Sequence, residues 1–303
     1  MAKALSSSLK NDIQAEKMLT NSSIKLNFQV HFHTQFGQTL YITGNHQLLG
    51  NNDFEKALPL TYQDNNLWLI SLSVKGFEAI VQPIIYNYLL KNIDGSFIED
   101  WGNDKKFIPA NFTTNEVTFI DAWNHAGYYE NAFYTVPFQN VLLSSNHTLV
   151  KIISPKKITH TFKVKAPLLS KGQTLCMLGN ANALSNWQSE NSVFMSRAEN
   201  DVYFQVNLNL TDAIFPIIYK YGVYDVVQKL FLNFEGGDNR LLFDAPEKNK
   251  QTIVNDGFVF LQNNQWKGAG VAIPVFSLKS QNSFGVGEFA DMNLLVDWAK
   301  KQV

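Results

Sequence analysis

An all-β chain of two tandem antiparallel sandwiches is the fold class this sequence predicts, and three observations predict it. Short segments alternate apolar and polar residues, with turn signals between them. The same ordered set of segments occurs twice. The composition is globular and rich in aromatics, with 45% hydrophobic, 17% charged and 13% aromatic residues. Such a balance suits sandwich cores and leaves aromatics for the surface.

Residues 1–22 are polar and rich in Ser and Asn, as expected of a loose tail. Lys25-Leu26-Asn27-Phe28-Gln29-Val30-His31-Phe32 then alternates strictly, which predicts a strand with one buried face. Leu40-Tyr41-Ile42-Thr43 follows and ends at the turn signal Gly44-Asn45. Trp68, Ile70, Leu72 and Val74 alternate with Leu69, Ser71 and Ser73. Ile84 to Leu90 is a nearly continuous apolar strand, and Val117 to Ile120 closes the set.

The repeat carries the domain organisation. Gly37-Gln38-Thr39-Leu40 returns as Gly172-Gln173-Thr174-Leu175, and Gly44-Asn45 as Gly179-Asn180, both at an offset of 135. Ile70, Leu72 and Val74 return as Phe204, Val206 and Leu208 at 134. Pro83-Ile84-Ile85-Tyr86-Asn87-Tyr88 returns as Pro216-Ile217-Ile218-Tyr219-Lys220-Tyr221 at 133. Glu99 and Asn103 are matched to Glu235 and Asn239 at 136. The expected organisation is therefore a tail (1–22), a first module (23–124), a packed connector (125–156), a second module (157–262) and a third region (263–303). The connector holds Tyr128, Tyr129, Phe133 and Tyr134, too apolar for a flexible linker. In the third region, Gly270 to Phe276 predicts a buried strand. Phe289, Met292, Leu295, Val296 and Ala299 then recur at helical spacing. One such βα unit cannot bury its own faces, so a third domain is expected to begin here and to be cut short.

Charge narrows the function. Lys plus Arg is 25 and Asp plus Glu is 26, a net charge of −1, so no general field favours nucleic acid or anionic membrane. Neither is expected as a partner. The single cysteine, Cys176, excludes an internal disulfide and sits in an apolar strand, as a buried thiol would. No leader or spanning segment is visible, and a cytoplasmic location is expected. Asp94, Glu99, Asp100 and Asp104 read as a solvated acidic turn, and His31 with His33 lacks a third ligand, so neither metal nor cofactor is expected.

At the repeated positions both copies resemble family 20 carbohydrate-binding modules, the starch-binding domains. That resemblance implies an immunoglobulin-like sandwich and a sugar site. Gly37 to Asn45 followed by Leu48-Leu49-Gly50 carries the early motif, and Tyr219-Lys220-Tyr221 the central one. Phe234-Glu235-Gly236-Gly237-Asp238-Asn239-Arg240 carries the late motif, with Phe in place of the family's second tryptophan. The resemblance implies a carbohydrate site of Trp187, Lys220, Phe234, Glu235 and Asn239. Aromatic planes cover the C–H face of a glucose ring, and the polar groups take its rim hydroxyls. In the first copy the corresponding positions read as Asn52, Asn87 and Ile98. Glu99, Asn103 and the nearby Trp101 form a secondary candidate there, and Phe36 and Tyr62 are further aromatics for a secondary site.

Ala269 to Ser280 and Ser283 to Phe289 resemble the opening of glycoside hydrolase family 77, the 4-α-glucanotransferases. That resemblance implies a (β/α)8 barrel, of which this chain would hold the first βα unit, and a retaining mechanism with two carboxylates beyond Val303. No catalytic residue is therefore expected within the chain. Asp291, Glu288 and Asp297 read as a solvated helix face. The expected ligand is an α-1,4-glucan: starch, glycogen or malto-oligosaccharide. The alternatives are a non-enzymatic starch- or glycogen-targeting module and a structural immunoglobulin-like pair without sugar binding.

Overall fold

A computed structural model describes residues 23–101, 105–143, 150–198, 201–261, 266–267 and 272–301. The chain divides into two compact units, one ending at Asn264 and the other starting at Gln265.

The first repeat in the larger unit contributes β1 (Ser23–His31), β2 (Thr39–Gly44), β3 (Leu58–Pro59), β4 (Thr61–Tyr62) and β5 (Leu67–Lys75). It continues with β6 (Ile84–Lys91), β7 (Phe97–Glu99), β8 (Lys106–Phe107) and β9 (Glu116–Ala122). The second contributes β10 (His160–Lys165), β11 (Gln173–Gly179), β12 (Val193–Phe194), β13 (Ser196–Arg197) and β14 (Phe204–Leu208). It ends with β15 (Ile217–Asp225), β16 (Leu230–Phe234), β17 (Arg240–Leu242) and β18 (Lys250–Phe258). Each repeat forms its own second sheet, β3-β2-β6-β7 with β8 on β6, and β12-β11-β15-β16 with β17 on β15.

The first sheets of the two repeats are one sheet. Its order is β13-β14-β10-β18-β9-β1-β5-β4, joined where β18 pairs with β9 in parallel. β1 with β9 and β10 with β18 are also parallel, which corrects the purely antiparallel expectation. Alternation along a strand records which face is buried; it carries no information about the direction of the neighbour.

The joint exchanges side chains between cores. Ile120 of β9 packs against the second core, which contains Phe162, Tyr219 and Val254. Ile253 of β18 packs against the first core, which contains Phe28, Tyr86 and Phe119. The two cores therefore lie on opposite faces of the shared sheet. Asp121 and Asp256 are equivalent in the repeat, since each accepts hydrogen bonds from the paired tyrosines of its own copy. Yet Asp121 pairs with Asn255, one residue before Asp256. The displacement is required: paired residues share a face, and equivalent residues must point to opposite faces.

The repeated motifs have local causes. Gly44 and Gly179 leave room for the backbone of the neighbouring strand. A Cβ would lie 2.5 Å from the Ile85 carbonyl oxygen in one copy and 2.6 Å from that of Ile218 in the other. The next residue, Asn45 or Asn180, accepts from the Ile85 or Ile218 N–H through its side chain at 2.9 Å in each case. In Tyr-x-Tyr, both tyrosines point inward. Tyr86 and Tyr88 donate to Asp121 at 2.9 and 2.7 Å, and Tyr219 and Tyr221 to Asp256 at 2.7 Å each. Burial pushes both carboxyls above the usual range, more than the cations Lys105 and Arg240 pull them down. Cys176 is fully buried, and burial pushes its thiol up to about 12.

The segment joining the repeats packs through Phe133, which is buried, and Tyr134, whose hydroxyl donates to the Val202 carbonyl at 3.4 Å.

The smaller unit departs from expectation. Gly270 and Val271 lie outside the described residues. Ala272 to Pro274 has no ladder partner, and Val275–Ser277 is a 3-10 turn, so no strand forms in the described part. A buried barrel strand takes its hydrogen bonds from strands on both sides, and this unit has none among its described residues. The helical spacing is realised as α1 (Asp291–Lys300). Asp291 is not on a solvated face. It is buried and accepts from the Ser283 hydroxyl at 2.7 Å and the Glu288 N–H at 2.8 Å, closing the turn before the helix. No described helix is long and apolar enough to cross a membrane.

Candidate carbohydrate site

In the second repeat the turn after β11 presents Trp187. Ser185, Asn186 and Trp187 all have positive φ, at 59°, 46° and 65°. Three successive non-glycine residues in this region are costly and need outside support. The Ser185 hydroxyl, bonded to the Asn191 carbonyl, and the Asn186 amide, donating to Asn182 Oδ1 at 2.6 Å, supply it. The turn holds Trp187 with 36% of its surface exposed.

Phe234 ends β16 with 37% exposed. Its ring centroid lies 6.2 Å from that of Trp187, with the planes at 70°. Phe231 backs it at 4.8 Å. Lys220 alternates with the inward tyrosines of β15 and so points outward. Its Nζ donates to the Gly237 carbonyl at 2.7 Å, which brings it to the loop that follows Phe234. Asn239 is exposed in the same loop. Trp187, Phe234 and Lys220 are thus brought into one region by three separate segments.

Glu235 is placed differently from its expected role at a sugar rim. It is buried at 4% exposure. One oxygen accepts from the Tyr221 N–H at 3.0 Å and Arg240 Nε at 2.9 Å; the other accepts from Arg240 Nη2 at 2.8 Å. Arg240 in turn donates to the Asp256 and Phe258 carbonyls at 3.0 and 3.1 Å. This bidentate pair fastens the β16–β17 loop to the core. Sequence reading placed Arg240 in the late motif without this role.

The first repeat corrects the motif alignment by one residue. Asp100 N–H donates to the Tyr88 carbonyl at 2.9 Å, as Glu235 N–H does to that of Tyr221 at 2.8 Å. Trp101 N–H bonds Asn124 as Gly236 N–H bonds Phe260. Asp100 pairs with Lys105 at 2.5 Å, the counterpart of Glu235 with Arg240. Asp100 is therefore a buried partner at 1% exposure, not part of a solvated acidic turn. Glu99, not Ile98, stands in the place of Phe234.

The first copy's outward positions line a small polar pocket of about 240 Å3. Asn52, Asn87, Glu99 and Phe54 contribute, and Asn87 Nδ2 donates to Glu99 at 3.2 Å. The same strained turn is present, with Gly50, Asn51 and Asn52 at φ 81°, 56° and 60°. Trp101 does not line this pocket, and Asn103 lies outside the described residues. Phe54 carried no motif signal and was missed.

The family described as starch binding domain matches residues 23–118 and 157–254. The chain is 30% identical over 297 residues to 4-alpha-glucanotransferase DPE2 of Oryza sativa subsp. japonica. That match takes in 92% of this chain and spans 30% of the relative's length. Among solved structures, a family 15 glucoamylase from Hypocrea jecorina overlaps 35% of this chain and 18% of its own, at 25% identity and TM-score 0.29. The family 20 module of a maltotetraose-forming amylase from Pseudomonas saccharophila STB07 overlaps 31% of this chain and 97% of its own, at 16% identity and TM-score 0.26. The family assignment rests on the sequence match, which takes in most of both repeats. By that match, the chain belongs to the starch binding domain family and carries two copies of the domain.

Proposed function

We propose that the chain binds α-1,4-glucans through the second repeat. Trp187 and Phe234 form the platform, and Lys220 and Asn239 supply rim hydrogen bonds. The observation that carries this reading is the pair of half-exposed rings set at 70° and 6.2 Å apart. Two inclined planes match the curvature of an α-1,4-glucan, and the C–H faces of successive glucose units cover them. Glu235 acts indirectly, by fixing through Arg240 the loop that carries Phe234 and Asn239. Affinity electrophoresis in soluble starch tests the reading. Wild-type chain should be retarded, and Trp187→Ala should be retarded much less. An unretarded wild type would refute glucan binding.

The chain is further proposed to be the glucan-capturing region of a 4-α-glucanotransferase of glycoside hydrolase family 77. Its similarity to the rice protein and the Ala269 to Phe289 segment support this. The parent enzyme would move α-1,4-glucan segments between oligosaccharides while the modules hold the polymer. The proposed modules span 23–124 and 157–262, with 125–156 between them.

A further inference from the structure

We infer that the groove created where the two repeats join is a second, separate glucan-binding site. The inference rests on the glucan-binding reading above. The groove exists only because β9 pairs with β18. Its floor is the outer face of the first repeat, at Gln29, His31 and Ala122, and its wall is β17 with Phe243 and Asp244 of the second. Its volume is about 950 Å3. Ligand pockets commonly measure ~300–1,000 Å3.

Three features give the chemistry of the occupant. The first is aromatic surface. Phe32 and Trp123 pack with centroids 4.6 Å apart and planes at 41°, and both line the groove. Tyr128 and Phe243, 48% and 71% exposed, add bare ring surface. The second is an unmet hydrogen bond. Trp123 Nε1 is buried and has no hydrogen-bond partner among the described residues. An indole N–H is a donor only, and this one is shielded from solvent, so an occupant meets it only if the Trp123 ring turns toward the groove. The third is charge. Asp64 and Asp244 line the groove, the Asp244 carboxylate held by Lys250 at 2.8 Å and by Thr252, and no Lys or Arg is among the described lining residues. The lining therefore offers a phosphorylated or sulfated ligand no Lys or Arg partner. Ring faces, the Asp64 carboxylate and, once its ring turns, the Trp123 indole donor together suit a neutral, hydroxyl-rich chain with apolar C–H faces. Phe36 and Tyr62 are not among the lining residues, so the groove is separate from them. It opens on the side of the shared sheet that carries the Trp187 platform, because that side also carries the second repeat's core.

The experiment uses the 303-residue chain labelled with 15N-tryptophan and titrated with maltoheptaose. Indole signals are assigned by Trp123→Phe and Trp187→Phe. The Trp123 signal should shift with sugar in the wild type and equally in Trp187→Ala. Tyr128→Ala with Phe243→Ala, both at exposed positions, should weaken the Trp123 response at least tenfold and leave the Trp187 response intact. Movement of Trp187 alone would overturn the groove site and leave the platform standing. Silence of both signals would overturn the glucan reading and the groove site with it. A Trp123 signal that follows protein concentration and ignores maltoheptaose would assign the groove to a second copy of the chain.

Discussion

Glu99 occupies in the first repeat the place that Phe234 occupies in the second, one residue before a buried acid paired with a base. Asn52 stands likewise in the place of Trp187. Both platform positions of the first copy are thus polar, on a backbone turn that is otherwise the same. Restoring both rings should restore binding. Asn52→Trp with Glu99→Phe should bind one more equivalent of maltoheptaose than the wild type in calorimetry. Unchanged stoichiometry would show that more than the two rings has been lost.

The platform itself predicts a graded series. Trp187→Ala should lose about 2 kcal/mol of glucan affinity, roughly thirtyfold, as for a truncated aromatic anchor. Phe234→Trp should bind more tightly than the wild type, since an indole covers more of a glucose face. Titration with maltoheptaose followed by calorimetry reads both. Weaker binding by Phe234→Trp would mean that the loop is fitted to the smaller ring.

The ion pair beneath the platform should matter to both stability and affinity. Glu235→Gln removes the bidentate charge partner of Arg240 and leaves it only Asp256 at 3.6 Å, and breaking a buried pair in this way costs about 3 kcal/mol. Urea unfolding should show that loss. The affinity should also drop, because the Phe234 loop is released. Asp100→Asn should cost a similar amount and leave glucan affinity unchanged. An equal affinity loss in the two variants would remove the positioning role of Glu235.

The exchange of Ile120 and Ile253 predicts that the two repeats unfold together. Calorimetry should give one transition for the wild type. Ile253→Asp puts a charge into the first core and should separate melting into two transitions. Two transitions already present in the wild type would mean that the shared sheet does not couple the modules.

His160 predicts an acid-side dependence. Burial holds its imidazole below the usual 6.5, and its Nε2 lies 2.9 Å from the Asp244 carbonyl. The unfolded chain therefore takes up the proton first. Stability is full above the ordinary histidine value and falls as pH drops below it toward the folded value. His160→Gln should flatten that fall in urea midpoints measured from pH 7.5 to 5.5. Asp121 and Asp256 work in the opposite sense, since burial pushes them up and protonation relieves them. The His160→Gln comparison isolates the histidine contribution because both carboxylates remain in place.

Much of this was legible in the sequence, for physical reasons. Gly44 and Gly179 recur because a neighbouring backbone passes where a Cβ would sit. Tyr-x-Tyr recurs because two hydroxyls converge on one buried carboxylate. Trp187 stood out in the sequence because Lys220, Glu235 and Asn239 stand in matching motif places. The misses have causes as well. Matching Glu99 to Glu235 preserved the letter, whereas the backbone preserves the charge through Asp100. A one-residue slip in a loop and an acid-for-acid exchange look alike in a string of residues. Ile120 and Ile253 read as ordinary strand residues, since nothing in alternation says which of two cores a side chain enters. Asp291 reads as a solvated carboxylate until the Ser283 turn folds over it.

The shared sheet also fixes directions of view. Each repeat's second sheet lies on its own side of the joint, and the outward residues Asn87 and Lys220 sit on the far surfaces of those sheets. The two platform positions therefore look away from each other. A single glucan helix could touch both only by wrapping around the rim of the molecule. A chain with both platforms restored would instead rivet two polymer strands together. With its one pair of rings, the proposed platform would grip from a single side and leave the other free.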